Sequence, residues 1–180
     1  MRNYAYIDTQ NLHLGIQNLG WKLNLRAFRN YLRQSFDVIE AYMFLGYMAE
    51  HQELYEAFKN AGYTLMFKPL TAAEATSGRG NIDADLVLQA MIDYPLYDQA
   101  VIITNDGDFQ GLVNHLYATN KLRTVMSPNE AAASTLLKAA AHDRIVYLDR
   151  LRRQLEYRQK RQPRAPKPNT QPIDKPPSAQ

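Results

Sequence analysis

Residues 101–112 read VIITNDGDFQGL. Val101, Ile102, Ile103 and Thr104 are all β-branched and favour a strand. Asp106 and Asp108 follow at once, with Gly107 between them, and FQGLVNHLYAT (109–119) then reads as a helix. A buried strand needs no charges at its end, so the two acids raise a question that packing alone does not answer. The stretch is one strand–turn–helix unit, and the fold depends on whether the unit repeats.

It does. Strands are expected at YAYI (4–7), VIEAYMFLGY (38–47), YTLMFK (63–68), AVIIT (100–104), LRTVM (122–126) and, as an edge, RIVYL (144–148). Helices are expected at 23–34, 51–62, 85–93, 109–119 and 130–140, several of them stopped by Gly62 or Pro95. Strands alternating with helices at this spacing imply an α/β fold, a parallel sheet covered on both faces. In such a sheet the functional crevice lies beyond the carboxyl ends of the strands. Asp8 follows the first strand and Asp106 and Asp108 follow the fourth, so all three fall on that edge. Asp83 and Asp85 lie in GRGNIDADL (78–86), where a glycine-rich loop enters a helix.

A single acid at a helix start is ordinarily a cap or a dipole partner. Several carboxylates meeting in one crevice repel one another and raise their own pKa values, which a cation relieves. With oxygen donors and no cysteine in the chain, Mg²⁺ or Mn²⁺ is the natural choice. Such an ion grips phosphate oxygens and activates water for attack on phosphorus. Asp83 and Asp85 stand about 200° apart around a helix. Either Asp83 caps and Asp85 occupies the first turn, or only one of them is a ligand. Asn11, one turn past Asp8, reads equally as a helix cap or as a group orienting a carboxylate or substrate. Thr104 reads as a plain strand residue or as a hydrogen-bond partner of the site.

Other chemistries find no support. There is no G-x-x-x-x-G-K-[ST], and His13, His51, His115 and His142 show no metal-ligand spacing. The missing cysteines exclude disulfides and thiolate chemistry and fit a cytoplasmic protein. No apolar run approaches the roughly 20 residues of a membrane helix, and residues 1–11 do not read as a secretory leader.

The net charge of +3 over 180 residues is unevenly held. Residues 150–180 carry nine Lys/Arg against two acids, while the rest carries twelve against sixteen. The split suggests a basic arm for a polyanion, or a solubilising extension, attached to a mildly acidic domain. Residues 149–162 read as a basic helix carrying Arg152, Arg153, Arg158, Lys160 and Arg161, docked through Leu151 and Leu155. Six of the nine prolines fall in residues 163–180, which hold almost no large apolar side chain and are expected to be disordered.

Three motifs in one order carry a family resemblance. YIDTQNL (6–12) resembles the opening I-D-x-x-N-L of the NYN-domain family, a PIN-like nuclease group that includes the LabA-like proteins. GRGNIDADLVLQAMID (78–93) is similar to its middle motif, and VIITNDGDFQGLV (101–113) to its strand followed by [ST]-x-D-x-D-F. The resemblance spans the expected domain, residues 1–148, and implies a Rossmann-like (PIN-like) three-layer sandwich with a mostly parallel central sheet. It further implies a divalent-metal site and nuclease activity, usually on RNA; with the acids above, the leading expectation is a Mg²⁺- or Mn²⁺-dependent endoribonuclease. By position Asp8, Asp83, Asp106 and Asp108 match the metal-binding acids, with Asp85 as a further candidate. Asn11 matches the polar residue of the first motif and Thr104 the Ser/Thr of the third. Single-stranded or flexible RNA is the partner on this reading; Lys68 and Arg79, near the site's rim along the chain, read equally as phosphate contacts or as plain surface charge, the basic terminal helix would add affinity, and homo-oligomerisation stays open. A non-catalytic RNA-binding module of the same fold, and a small-molecule phosphatase, stand as alternatives.

Overall fold

The computed structural model describes residues 1–68 and 82–158. Six strands form one sheet: β1 (Asn3–Asp8), β2 (Val38–Gly46), β3 (Thr64–Lys68), β4 (Ala100–Ile103), β5 (Leu122–Ser127) and β6 (Ile145–Tyr147). Their order is β3-β2-β1-β4-β5-β6, and every neighbouring pair is parallel. β1 is central and buried along its whole length, so it is apolar on both sides. Tyr4 and Tyr6 enter one core, while Ala5 and Ile7 enter the other.

The chain adds strands outward from β1 through β2 to β3, then crosses back and adds β4, β5 and β6 in the opposite direction. Parallel crossovers keep one hand, so this reversal moves the helices to the other face. Helices α1 (Thr9–Asn18), α2 (Leu25–Phe36) and α3 (Gln52–Asn60) pack on the Ala5/Ile7 face through Leu12, Ile16, Phe28, Leu32, Tyr55 and Phe58. Helices α4 (Asp83–Ile92), α5 (Gln110–Ala118) and α6 (Thr135–Ala141) pack on the tyrosine face through Leu86, Val113, Leu116 and Leu137. The expected three-layer α/β sandwich is therefore the observed architecture.

Local differences have identifiable causes. Helix α1 is absent from the pattern reading: TQNLHLGIQN contains a glycine and two asparagines, poor helix formers. Its start is set by Asp8, whose side chain accepts from Asn11 N. Gly15 is needed because a Cβ there would lie 2.3 Å from Pro128 Cγ. Helix α6 begins at Thr135 rather than at 130, because Ser134 Oγ caps it by accepting from Leu136 N.

The basic terminal helix expected over 149–162 is shorter. A 3-10 turn (Leu148–Leu151) leads into α7 (Arg152–Leu155), and Glu156 then bridges antiparallel to Leu23. Asn24 N donates to Leu155 O at 2.7 Å and Tyr157 N to Lys22 O at 2.7 Å. This pairing ends the helix, while Leu148 and Leu155 anchor it in the core. Lys160, Arg161 and the proline-rich stretch 163–180 lie outside the described residues, as does Arg79. Among the described residues no helix is long and apolar enough to cross a membrane.

Candidate metal centre

Strands β1 and β4 are neighbours from which the chain departs in opposite directions, so the crevice opens at their carboxyl ends. Asp8 is the last residue of β1 and only 5% exposed. Its Oδ1 accepts from Asn11 N at 3.1 Å and its Oδ2 from Thr104 Oγ1 at 3.3 Å. The buried Thr104 hydroxyl also accepts from Asp106 N at 3.1 Å. Asn11 Oδ1 accepts from Asn105 N at 2.9 Å, tying α1 to the loop after β4. Asp106 Oδ1 accepts from Asp108 N at 3.0 Å and caps a 3-10 turn, Gly107–Phe109. Phe109 is buried beneath this turn and fixes it. Through these bonds Asn11 and Thr104 join the first and third motifs.

Asp83, Asp106 and Asp108 converge: each offers a carboxylate oxygen, and these oxygens lie within 4.8 Å of one another. Asp83 and Asp106 are half-buried and Asp108 is exposed. Asp8 is outside that tight group but shares its field. Burial pushes its carboxyl up to about 6, with Asp83 and Asp106 adding to the shift and the Asn11 and Thr104 hydrogen bonds opposing it. Asp83 is pushed up by burial and by Asp106 and Asp108, while Lys68 pulls it down. Three hard oxygen donors in one small volume, backed by a fourth acid, fit a Mg²⁺- or Mn²⁺-type ion.

Asp83 and Asp85 both fall in the first turn of α4, and neither is its cap, which is Ile82. Asp83 joins Asp106 and Asp108. Asp85 is exposed and lines a separate cavity of about 150 Å³ with Phe44, Met66, Lys68 and Leu88. The cap arrangement expected for Asp83 is therefore not observed, and of the two acids Asp83 is the one that lies in the converging group.

The NYN domain model matches residues 4–149 of the chain. The chain belongs to the NYN domain family. The protein is similar to the Low amplitude and bright protein LabA of Synechococcus elongatus, 27% identical over 168 residues, which are 88% of this chain and 89% of that one. A protein of unknown function from Vibrio parahaemolyticus shares the fold, with a TM-score of 0.71 and 21% identity over 82% of this chain and 93% of that one. The NYN family is PIN-like and nuclease-like, and the acidic cluster is compatible with that character.

Among the described residues the candidate basic residues are dispersed. Lys68 ends β3 and acts on Asp83. Arg152 is paired with Glu156 at 2.8 Å, and Arg158 donates to Arg153 O at 3.4 Å. All three arginines are exposed on or just after α7, which packs on the face opposite α4. A feature invisible in the motifs adjoins the acids: a cavity of about 550 Å³ lined by residues of α1, β2 and α3. Each of its apolar residues reads as ordinary core in the sequence, so no local signal marks it.

Proposed function

We propose that this NYN domain is a divalent-metal-dependent endoribonuclease. It hydrolyses phosphodiester bonds of single-stranded or flexible RNA, leaving a 5′-phosphate and a 3′-hydroxyl. The observation that carries the reading is the convergence of Asp83, Asp106 and Asp108 oxygens within 4.8 Å at the carboxyl edge of the sheet. Asp83, Asp106 and Asp108, with Asp8 behind them, would hold Mg²⁺ or Mn²⁺. Once bound, the ion supplies Lewis acidity toward a phosphate oxygen and acidifies water. The protein's own residues do the remainder. Thr104 and Asn11 hold Asp8 in one orientation, and the capped turn holds Asp106 and Asp108 together. Asp108, exposed at the rim, takes the proton of the attacking water. Lys68 and Arg79 meet substrate phosphates. Arg152, Arg153, Arg158, Lys160 and Arg161 add sequence-independent affinity that weakens with salt. The cytoplasmic setting and the RNA partner belong to the same proposal.

The test is cleavage of single-stranded RNA by the full chain, with Mg²⁺, Mn²⁺ or EDTA, followed by analysis of the new ends. Cleavage confined to the metal reactions, with 5′-phosphates, is expected. Equal cleavage in EDTA, or 2′,3′-cyclic phosphate ends, would overturn the mechanism. RNA bound but uncut in either ion would leave the non-catalytic binding module.

A further inference from the structure

The 550 Å³ cavity lies between α1, the carboxyl half of β2 and α3, walled by Leu12, Ile16, Trp21, Met43, Tyr55 and Phe58. Its size is that of a small-ligand site. Two of its residues are chain neighbours of the acids: Thr9 follows Asp8, and Ile82 precedes Asp83. The cavity therefore begins one residue away from the carboxylate crevice.

Two further features point to an occupant. Thr9 is 9% exposed, lines the cavity, and its hydroxyl has no hydrogen-bond partner. A buried unpaired hydroxyl is costly; the Thr9 oxygen is closed off in the rotamer seen, and turning it into the second χ1 well open to a helical threonine lets an incoming polar edge repair it. Among the described residues the lining carries one lysine, Lys22, and no Asp or Glu. An apolar cavity with one lysine in its lining, beside an acidic crevice, suits a ligand with a flat apolar body, a polar edge and an attached anion.

We infer that this cavity receives the unstacked nucleobase next to the scissile phosphate, with the Thr9 hydroxyl meeting the base edge. The inference rests on the proposed ribonuclease reading and deepens it. A base leaves its stack and enters a side pocket at least cost in a single strand or loop, so the cavity favours unpaired RNA. A hydroxyl both donates and accepts, so Thr9 serves a carbonyl, a ring nitrogen or an amino edge. The phosphate, one sugar away, reaches toward Asp106 and Asp108.

The chain has one tryptophan, and it lines this cavity while only 6% exposed. Its emission therefore reports occupancy without any catalysis. The experiment titrates the full chain in EDTA with a single-stranded RNA decamer, the same decamer made abasic, and the decamer annealed to its complement. Trp21 emission should change with the single strand only. Thr9→Val should weaken that titration about fivefold, the loss of one hydrogen bond. Leu54→Glu, at a lining position 44% exposed and therefore tolerant of the change, should weaken it about tenfold. With Mg²⁺ present, any base preference in the cleavage pattern should fade in both variants. RNA that is cleaved without changing Trp21 emission, or both variants titrating like the wild type, would overturn the inference and leave the nuclease intact. Base-dependent quenching without cleavage would uphold the base site and defeat the nuclease reading. If Leu54→Glu converts a dimer to a monomer and RNA titration is unchanged, the cavity is a contact between two copies and the inference fails.

Discussion

Asp8 and Thr104 stand 96 positions apart in sequence and share a hydrogen bond, Thr104 Oγ1 donating to Asp8 Oδ2 at 3.3 Å. The bond joins the ends of the two strands from which the chain turns opposite ways. It also favours the charged form of Asp8, opposing the burial and the neighbouring acids that push it up. Thr104→Val keeps the shape and removes the donor. The Asp8 pKa should then rise further above about 6. The acid limb of the cleavage pH profile should move to higher pH, with metal held saturating. An unmoved limb would mean that the hydroxyl does not govern this carboxylate.

Asp8 also makes the metal-free fold weaker at neutral pH. An ordinary aspartate titrates near 3.8 and Asp8 is pushed up to about 6. Across that window the folded protein keeps a proton that the unfolded chain gives up, so stability falls as pH rises and stays low above it. Asp8→Asn should raise the metal-free stability at neutral pH by about 1–3 kcal/mol. Urea midpoints measured from about pH 4 to 7 should decline in the wild type and stay flatter in the variant. Parallel profiles would contradict the strain assigned to Asp8.

Mn²⁺ should reverse this ranking. An ion bound at about 100 times its Kd stabilises a fold by about 2.7 kcal/mol. The wild type should therefore show a Tm rising with Mn²⁺ concentration and returning on chelation. Asp106→Asn, which removes one member of the converging group, should flatten that dependence. A Tm indifferent to the ion in the wild type would count against a metal centre here.

Asp83 and Asp85 should separate cleanly in kinetics. Asp83→Asn removes a group within 4.8 Å of its partners and should lower kcat by about 100-fold or more. Asp85→Asn alters an exposed wall of the neighbouring small cavity and should stay within about threefold. Equal losses would place Asp85 at the reacting centre.

Gly15→Ala should destabilise the fold although alanine is the better helix former. The new Cβ would meet Pro128 Cγ at 2.3 Å and Cβ at 2.5 Å, and the proline ring has little room to yield. Overpacking of this kind costs about 1–3 kcal/mol, against a propensity gain of about 1 kcal/mol. Pro128→Ala in the same chain should restore part of the loss, read as a urea midpoint.

Most of this fold is legible because its strands are rich in branched and aromatic side chains and its helices alternate with them. The acids at the ends of YAYI and AVIIT are legible because a parallel sheet brings such ends to one edge. Helix α1 is hidden by Gly15, whose reason is Pro128, more than a hundred positions away. The stop of α7 at Leu155 is set by backbone pairing with Lys22 and Asn24, and no local residue announces it. The cavity beside Thr9 is assembled from three segments, each of which alone reads as core. The choice between Asp83 and Asp85 depends on helix phase, which begins two residues earlier than the apolar pattern suggests.

The backbone pairing of Tyr157 with Lys22 joins the end of the described chain to the segment that follows α1. Lys22 is itself at the rim of the cavity. The last described residues therefore stand beside the cavity proposed to receive a base. On the proposed ribonuclease reading, removing residues 159–180 should slow RNA capture more than it slows the chemical step.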